Sequence, residues 1–385
     1  MDKKSKQVIA AFKKAGARIE TKGRVKMKTR ADFALYYTPG VGAASTHLAQ
    51  HPEAARQLSV KRNSVAVISD GSAVLGLGNI GPYGALPVME GKALIFRELA
   101  GIDAWPIVLD VPAQASVEER IDRIVDTVLA IAPGWGGINL EDIKAPECFE
   151  IERRLIEALD IPVMHDDQHG TAIVVLAGLI NAAKVVRKPL ASLKVAISGA
   201  GAAGAAIAKL LALAGIQDIV VLDRSGIITG ARADLNAPKR ELAALTNPRG
   251  LAGTLQDALR GADAFVGVSG PNLMTAEDVR LMAPRAIVFG LSNPIPEILP
   301  EEAKKGGALV IATGRSDFPN QINNALVFPG VFRGALDKGV KRITEESKLR
   351  AAKALAALVE HPTPARIIPD VLDKRVVPAV ARAIR

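Results

Sequence analysis

The stretch SGAGAAGAAIA, residues 198–208, contains the glycine pattern GxGxxG, and its surroundings decide how that pattern is interpreted. Alone it is weak, because chains rich in glycine and alanine produce it by chance. Here the apolar run LKVAI precedes it, the helical run AAIAKLLALAG completes it, and a second apolar run, DIVVLD, ends on Asp223. Strand, glycine turn, helix and acid-terminated strand together are typical of a dinucleotide site rather than of a merely structural turn.

Each glycine of this stretch has a predicted role in binding NAD or NADP. Gly199 allows the turn, Gly201 lets a pyrophosphate approach the backbone, and Gly204 lets the helix pack closely on the strand. The helix N-terminus adds unpaired N–H groups and a positive dipole end. The rest of the predicted cofactor loop is Ala200, Ala202 and Ala203.

Asp223 and Arg224 are the candidates for choosing between the two cofactors. An acid at this position accepts hydrogen bonds from the ribose hydroxyls, which favours NAD. The adjacent arginine could instead bind the 2′-phosphate of NADP. The sequence therefore favours NAD and leaves NADP open.

Apolar runs that alternate with helical segments predict an α/β protein. Beyond residue 190 the runs LKVAI, DIVVLD, ADAFVGV, RAIVFGL and ALVIATG predict a doubly wound parallel sheet. Earlier in the chain, SVAVISD, AWPIVLD and WGGINLED predict three more strands, with helices between them, and the tail EESKLRAAKALAALVEH and IIPDVLDKRVVPAVARAIR is predicted to be helical.

These elements predict two domains. We expect an N-terminal α/β domain for substrate and metal at 1–165 and a Rossmann-type dinucleotide-binding domain at 166–324. C-terminal helices within 325–385 are expected to pack back on the first domain. Ligands of two-domain α/β enzymes bind in the crevice beyond the carboxyl ends of the strands.

Composition excludes several classes of protein for this chain of 385 residues. The single cysteine, Cys148, rules out an intrachain disulfide, and we expect it to be a small buried residue.

We find no signal peptide and no charge-free apolar run long enough to span a bilayer, so we expect a cytoplasmic protein. The net charge is +9, and basic residues crowd the first thirty positions without interleaved aromatics. That pattern favours a solvated or subunit-contact helix over nucleic-acid binding.

Two pairs of acids predict a metal site. Glu141 and Asp142 end the run GGINLED, and Asp166 and Asp167 lie in PVMHDDQHG. Acid pairs on solvated surfaces are common, but these directly follow apolar runs that end at the expected crevice. A divalent cation relieves the repulsion between such acids, and a carboxylate set favours Mg²⁺ or Mn²⁺. The flanking histidines at 165 and 169 are therefore not assigned as ligands.

Lys92 and Tyr37 are candidates for proton transfer. Lys92 stands among apolar residues in PVMEGKALIF, and a buried lysine beside a bound cation has a lowered pKa that suits a general base. A surface lysine with a buried stem is the alternative. Tyr37 precedes a Pro-Gly turn in ALYYTPGVG, and its hydroxyl could donate a proton, although tyrosines also serve as core residues.

In order along the chain, the motifs YYTPGVG, SDGSAVLGLGNIGPYGALPVMEGK, AGIDAWPIVLD, GGINLEDI, MHDDQHGTA, SGAGAAG, LSNP and NNALVFPGVF resemble malic enzyme of the short bacterial and archaeal type. The resemblance runs from about residue 30 to residue 335. It implies oxidation of L-malate by NAD(P)⁺ with a divalent cation, followed by decarboxylation to pyruvate and CO₂.

The resemblance also implies a role for each matching residue. Lys92 is similar to the family's general base and Tyr37 to its general acid, and Asp166 would tune Lys92. The implied metal ligands are Glu141, Asp142 and Asp167, and the implied contacts to substrate or nicotinamide are Asn293 of LSNP and Asn324 of NNALVFPG.

One departure from the family concerns how malate is held. Long members carry an arginine in the DGxxxLGLG stretch, where this chain reads DGSAVLGLG, so Ser72 or backbone N–H groups are expected to replace it. The family implies a homodimer or larger homo-oligomer, in which Tyr37 and Lys92 are hypothesised to come from different subunits. Alternatives are malolactic chemistry, with retained NAD and lactate as product, and a non-catalytic NAD sensor.

Overall fold

The computed structural model describes residues 3–74, 76–112 and 114–385, which form two β-sheets with helices on their faces. The strands are β1 Ser64–Ser69, β2 Asp103–Val108, β3 Gly137–Leu140, β4 Val163–His165, β5 Lys194–Ser198, β6 Asp218–Asp223, β7 Gly226–Ile227, β8 Ala264–Gly267, β9 Ile287–Gly290 and β10 Val310–Thr313. The helices are α1 Lys3–Ala15, α2 Arg30–Tyr36, α3 Val41–Gln50, α4 Ala55–Leu58, α5 Gly81–Ala100, α6 Val117–Ile131, α7 Glu147–Ala158, α8 Asp166–Val186, α9 Ala202–Leu213, α10 Ala237–Leu245, α11 Leu255–Leu259, α12 Ala276–Arg280, α13 Pro300–Lys305, α14 Phe328–Lys338, α15 Glu345–Ala357 and α16 Val376–Ala383.

The first sheet is parallel and has the order β2-β1-β3-β4. Every residue of β1 and β3 is buried, because helices α5, α6 and α7 cover the sheet, as a parallel sheet requires. The sequence predicted β1, β2 and β3 but not the three-residue β4. Because all four strands run the same way, the acids that follow β3 and β4 lie at one edge.

The second sheet has the order β10-β9-β8-β5-β6-β7. Counted from β5, this is the strand order of a Rossmann fold, and its switch point lies between β5 and β8. The five predicted strands are present and parallel, so the predicted fold class is confirmed. The sixth, β7, was not predicted; it is two residues long and antiparallel to β6.

Helix α8 connects the two sheets. By length and composition it could span a membrane, but 72% of its apolar window is buried inside the protein, as expected of a core helix. It packs on α9 and on α15. The side chain of Asn181 on α8 donates to the carbonyls of Ala356 and Ile367, both at 2.9 Å, which fixes the C-terminal segment against this helix.

The C-terminal helices also contact the first sheet's helices. Phe328 and Phe332 of α14 pack edge-on against Phe96 of α5, with ring centroids 4.7 and 5.4 Å apart. The domain limits at 165/166 and 324/325 stay a prediction.

The prediction of helix for the whole tail was wrong in part. Only α15 and α16 are helical, and the segment between them is irregular. Two aspartates explain this: Asp370 accepts a hydrogen bond from the backbone of Leu372, and Asp373 from that of Arg375. Aspartate side chains that bond the backbone two residues on stabilise turns and compete with helix.

Candidate active site

The edge of the first sheet brings a buried lysine together with two buried acids. Lys92, on the sheet-facing side of α5, lies 2.8 Å from Glu141 Oε1 and 2.7 Å from Asp166 Oδ2. Glu141 follows β3 and Asp166 follows β4, and both are almost fully buried. The Lys92 ammonium also sits 4.4 Å from the centre of the Phe328 ring. Lys92 is therefore buried and not a surface lysine.

Burial and charge act in opposite directions on this cluster. Burial raises the pKa of Asp166 to about 7 and that of Glu141 to about 7, although Lys92 lowers both. Burial alone would lower the pKa of Lys92, but the negative charges of Asp166, Glu141 and Asp167 outweigh it and raise the Lys92 pKa. The sequence predicts that a bound cation lowers the Lys92 pKa. Without a cation, the carboxylates raise the Lys92 pKa.

Glu141, Asp142 and Asp167 form a group of oxygen donors. Each offers one carboxylate oxygen, and these oxygens lie within 4.8 Å of one another. The backbone N–H of Asp142 donates to Asp167 Oδ2 at 2.7 Å, and Asp142 has a φ of 53°, in the left-handed region that is uncommon outside glycine. An all-oxygen set of this size fits Mg²⁺ or Mn²⁺ better than zinc.

Gly170 lies one helical turn after Asp166 and shows how closely the site is packed. A Cβ at position 170 would lie 1.9 Å from Asp166 Oδ1 and 3.1 Å from the Cβ of Asn324. Asn324, which begins a 3₁₀ turn, therefore stands beside Asp166. The structure thus brings Lys92, both acid pairs and Asn324 to one place.

The loop that follows β1 carries the predicted substrate residue Ser72. Its hydroxyl donates to Asp70 Oδ1 at 2.5 Å and accepts the backbone N–H of Lys144 at 3.0 Å. Asp70 is in turn bound by the buried Arg120 at 2.9 Å. The two hydrogen bonds of the Ser72 hydroxyl therefore stabilise the loop, and the role of Ser72 in binding substrate stays a prediction.

Tyr37 is exposed and, in the part of the chain that the structure describes, it makes no hydrogen bond to the buried Lys92. Tyr37 ends α2, its ring packs edge-on to Phe33 at 5.3 Å, and 56% of it is exposed. Across residues 3–74, 76–112 and 114–385, no hydrogen bond or ion pair joins Tyr37 to Lys92, Glu141 or Asp166.

The glycine loop after β5 has the shape that the sequence predicts. Gly199 has a φ of 113°, and a Cβ at Gly204 would lie 1.7 Å from the Gly199 carbonyl oxygen, so helix α9 packs tightly on the turn. Gly201 caps α9, and a Cβ there would meet no atom within 4 Å. Open space above the first turn of a 12-residue helix is suitable for a pyrophosphate.

The loop that carries Asn293, after β9 of the second sheet, contacts the loop around Gly76, after β1 of the first sheet. A Cβ at Gly76 would lie 1.6 Å from the carbonyl oxygen of Asn293, so the two loops touch. Asn293 follows β9 and therefore lies at the carboxyl edge of the second sheet, where a nicotinamide is expected.

Two cations that the sequence analysis missed surround Asp223. Arg232 binds both oxygens of Asp223, at 2.8 and 3.1 Å, and Lys239 binds Oδ2 at 2.6 Å. The backbone N–H of Ser225 adds a fourth bond, at 2.9 Å. The predicted Arg224 is exposed. Burial would raise the pKa of Asp223, but these hydrogen bonds lower it, so the carboxylate is ionised and its acceptor positions are occupied.

A Rossmann sheet with an open phosphate loop, next to a buried lysine and a cluster of carboxylates, defines a dinucleotide-dependent oxidoreductase with a site for a divalent cation. Two family models match this chain: the malic enzyme N-terminal domain over residues 16–156 and the malic enzyme NAD binding domain over residues 168–384. The chain belongs to the malic enzyme family, and it is an NAD(P)-dependent enzyme, as the sequence predicts.

Three curated relatives show the same relationship. An NAD-dependent malic enzyme of Geobacillus stearothermophilus is 53% identical over 96% of this chain and 76% of its own length. A bifunctional malic/malolactic enzyme of Bacillus subtilis is 49% identical over 95% of this chain and 88% of its own. An NADP-dependent malic enzyme of Halomonas elongata is 50% identical over 90% and 80%.

Proposed function

We propose that this chain converts L-malate to pyruvate and CO₂ while reducing NAD(P)⁺. The observation that carries the proposal is the buried Lys92 ammonium, held between Glu141 and Asp166 at the edge where three carboxylates offer oxygens to a cation. A lysine buried among acids is costly for stability alone, and such groups are typical of functional sites.

Glu141, Asp142 and Asp167 would hold Mg²⁺ or Mn²⁺. Bound there, the cation would polarise the C2 oxygen of the substrate as a Lewis acid and offset the charge of its three ligands. Lys92 would accept the proton of the C2 hydroxyl, and NAD(P)⁺, when bound at the Gly199–Gly204 loop, would supply the hydride acceptor. Burial lowers the pKa of Lys92 and only the carboxylates raise it, so less negative charge around Lys92 favours the neutral, basic amine.

The second half of the reaction needs a proton donor. The oxidised substrate is a β-keto acid, and loss of CO₂ leaves the enolate of pyruvate. Tyr37 would donate a proton to C3 of this enolate, which gives pyruvate, and Asn293 and Asn324 would hold the substrate against the nicotinamide. Asp166 keeps Lys92 in place through their 2.7 Å bond.

Tyr37 of one chain is exposed and makes no hydrogen bond to Lys92 within the described residues, and we infer that a second copy supplies the tyrosine of each site. Helices α2 and α3 bury none of their residues. The exposed large apolar side chains of residues 3–41 are Val8, Ile9, Phe12, Val25, Met27, Phe33, Leu35, Tyr36, Tyr37 and Val41. A concentration of apolar surface of this kind marks an interface. We propose a homodimer in which Tyr37 of the partner subunit completes each site.

Initial rates with L-malate, measured with NAD⁺ or NADP⁺ and with Mg²⁺ or Mn²⁺, test the reaction. We expect pyruvate and reduced cofactor in equal amounts. Lys92→Met should lower kcat by about 100- to 10,000-fold, the usual contribution of a general base, with unchanged cofactor binding. Lys209→Met, at an exposed lysine of α9, is the control. No turnover under any combination contradicts the proposal.

Malolactic chemistry is a second candidate, since the Bacillus subtilis relative is named for both activities. Product analysis separates the two. Lactate without net reduction of the cofactor indicates that pyruvate is reduced before it leaves, and pyruvate with net reduction indicates malic enzyme chemistry.

Mixed dimers test the shared site. Tyr37→Phe and Lys92→Ala chains carry different affinity tags and are purified as a pair. If each site takes its tyrosine from the partner, one of the two sites in the mixed dimer keeps both groups, and about half of the wild-type activity returns. Confirmed mixed dimers that stay inactive refute the arrangement.

The cations around Asp223 bear on the choice of cofactor. Because Arg232 and Lys239 fill its acceptor positions, ribose hydroxyls must compete for Asp223, while a 2′-phosphate would meet two cations. We therefore propose that the enzyme accepts NADP⁺ as well as NAD⁺. Comparing kcat/KM for the two cofactors tests this, and a preference for NAD⁺ above about 1,000-fold, or roughly 4 kcal/mol, contradicts it.

We also propose that the protein acts in the cytoplasm on a small-molecule substrate, without nucleic acid. Its one cysteine, Cys148, is buried and reduced, and burial raises its pKa, which makes it an unreactive core residue. Salt-sensitive binding to unrelated DNA duplexes would contradict the absence of a nucleic-acid partner.

A further inference from the structure

A largely buried chain of polar groups runs from α15 to the turn that carries Asp166 and Asp167. Glu152 of α7 is 6% exposed and accepts three hydrogen bonds from this turn. They come from the backbone N–H of His165 at 2.7 Å, the amide of Gln168 at 3.1 Å and the ring of His169 at 2.9 Å. The Glu152 carboxylate therefore holds the residues at the start of α8 in place.

The other ring nitrogen of His169 continues the chain to the C-terminal part of the protein. Lys348 of α15 is 6% exposed, and its Nζ lies 2.9 Å from His169 Nδ1 and 2.5 Å from Glu345 Oε1. An ammonium group has donors only, so in this contact Nδ1 accepts and the ring proton lies on Nε2. That proton is the one donated to Glu152.

The direction of every bond in this chain is thus defined. Lys348 donates to His169, His169 donates to Glu152, and Glu152 receives the N–H of His165, the residue immediately before Asp166. Removing Lys348 would leave His169 Nδ1 without its donor and free the ring to change tautomer. Such a change would place a lone pair against the Glu152 carboxylate and break that bond.

We propose that Lys348, His169 and Glu152 are positioning residues that hold Asp166 and Asp167 in register for the cation and for Lys92. The proposal rests on the proposed function, because it assigns these residues to that same site. None of the three touches the substrate; they act through the first turn of α8. Groups that orient metal ligands in this way typically contribute 10- to 100-fold to metal affinity or activity.

The test compares Lys348→Met and His169→Leu with the wild type. Metal-free protein is first followed by hydrogen exchange, resolved to the His165 N–H. Both variants should exchange this proton about tenfold faster, because its bond to Glu152 loosens. Mn²⁺ affinity, read by the EPR signal of free Mn²⁺, should fall by about tenfold or more in both variants, whereas KM for malate at saturating Mn²⁺ should change little.

Two further variants separate positioning from folding. Lys353→Met changes an exposed lysine of the same helix and should behave as the wild type. His169→Gln keeps a donor for Glu152 and an acceptor for Lys348, and it should restore Mn²⁺ affinity to within about threefold. If His169→Leu does not fold, the proposal is tested by the Mn²⁺ affinity and the His165 N–H exchange of Lys348→Met and His169→Gln.

Wild-type exchange and Mn²⁺ affinity in both Lys348→Met and His169→Leu would overturn the proposal. So would a His169→Gln protein that is folded but as weak for Mn²⁺ as the leucine variant. Failure of the wild type itself to bind Mn²⁺ would refute the proposed function instead, and the exchange of the His165 N–H would still decide whether the chain of bonds holds the turn.

Discussion

Gly170 offers a direct test of how the start of α8 is packed. Replacing it by alanine adds one carbon that would lie 1.9 Å from Asp166 Oδ1 and 2.9 Å from its Cγ, whereas real Cβ contacts under 3.0 Å essentially never occur. The Asp166 carboxylate must therefore retreat by about 1 Å, a displacement that costs on the order of 100-fold in rate when it misplaces a group at a reacting centre.

The effect on stability should be much smaller than the effect on rate. Overpacking in a tight site costs roughly 1–3 kcal/mol. The change from glycine to alanine in a helix returns about 1 kcal/mol. We therefore expect Gly170→Ala to be folded, to be destabilised by about 0–2 kcal/mol, and to have a kcat reduced by about 100-fold.

Gly178→Ala is the matched control, because it places the same carbon on the same helix away from the acids. Its Cβ would lie 2.7 Å from Ile322 Cδ1 and 3.1 Å from the Phe289 ring. Steady-state rates with L-malate and thermal unfolding of both variants are the assays. A Gly170→Ala enzyme with kcat within twofold of wild type, or a Gly178→Ala enzyme that loses as much, would refute the reasoning.

Three other outcomes are expected. Arg232→Gln should lower kcat/KM for NADP⁺ relative to NAD⁺ by about tenfold or more, the value of one charge-assisted bond, with Lys209→Gln as the unaffected control. Asp167→Asn should weaken Mn²⁺ binding by about 100-fold and leave NAD⁺ binding unchanged, as measured by EPR and by cofactor fluorescence. For Glu152, burial raises the pKa, but the interaction with His169 and the charge of Lys348 outweigh burial and lower the pKa to about 2, from 4.5. Its stabilising contribution is therefore complete above pH 4.5 and is lost as the pH falls toward 2, so the stability gap between wild type and Glu152→Gln, from urea unfolding, should narrow between pH 6 and pH 3.

Long apolar runs and the glycine pattern were enough to predict most of the fold. All of β1 and all of β5 except Lys194 are buried, so the middle of each strand is an uninterrupted apolar run that is easily recognised. Strand β4 has three residues and β7 has two, too few to show any period. The irregular segment before α16 was predicted as helix from the spacing of its apolar residues. That spacing carries no information on the hydrogen bonds between aspartate side chains and the backbone that stabilise turns there.

The candidate site was predicted less completely than the fold. The acids after β3 and β4 follow apolar runs, so their meeting at one edge could be inferred, and Lys92 was noticed because it interrupts an apolar helix. The partners of Asp223 could not be found in this way, because Arg232 lies in the loop between β7 and α10 and Lys239 in the first turn of α10, and no fixed spacing relates them to Asp223. The Lys348 to His169 contact joins residues 179 positions apart, and no local pattern contains it.

The contact between Gly76 and Asn293 couples the loop near the expected malate site to the loop near the expected nicotinamide site. The loop around Gly76 belongs to the half that would hold the dicarboxylate, and Asn293 belongs to the half that would hold the nicotinamide. Even one methyl group at position 76 would collide with the Asn293 carbonyl, so a side chain there would displace one of the two loops. Attempts to alter the acid or the cofactor that the enzyme uses will therefore succeed more readily when both loops are varied as a single unit.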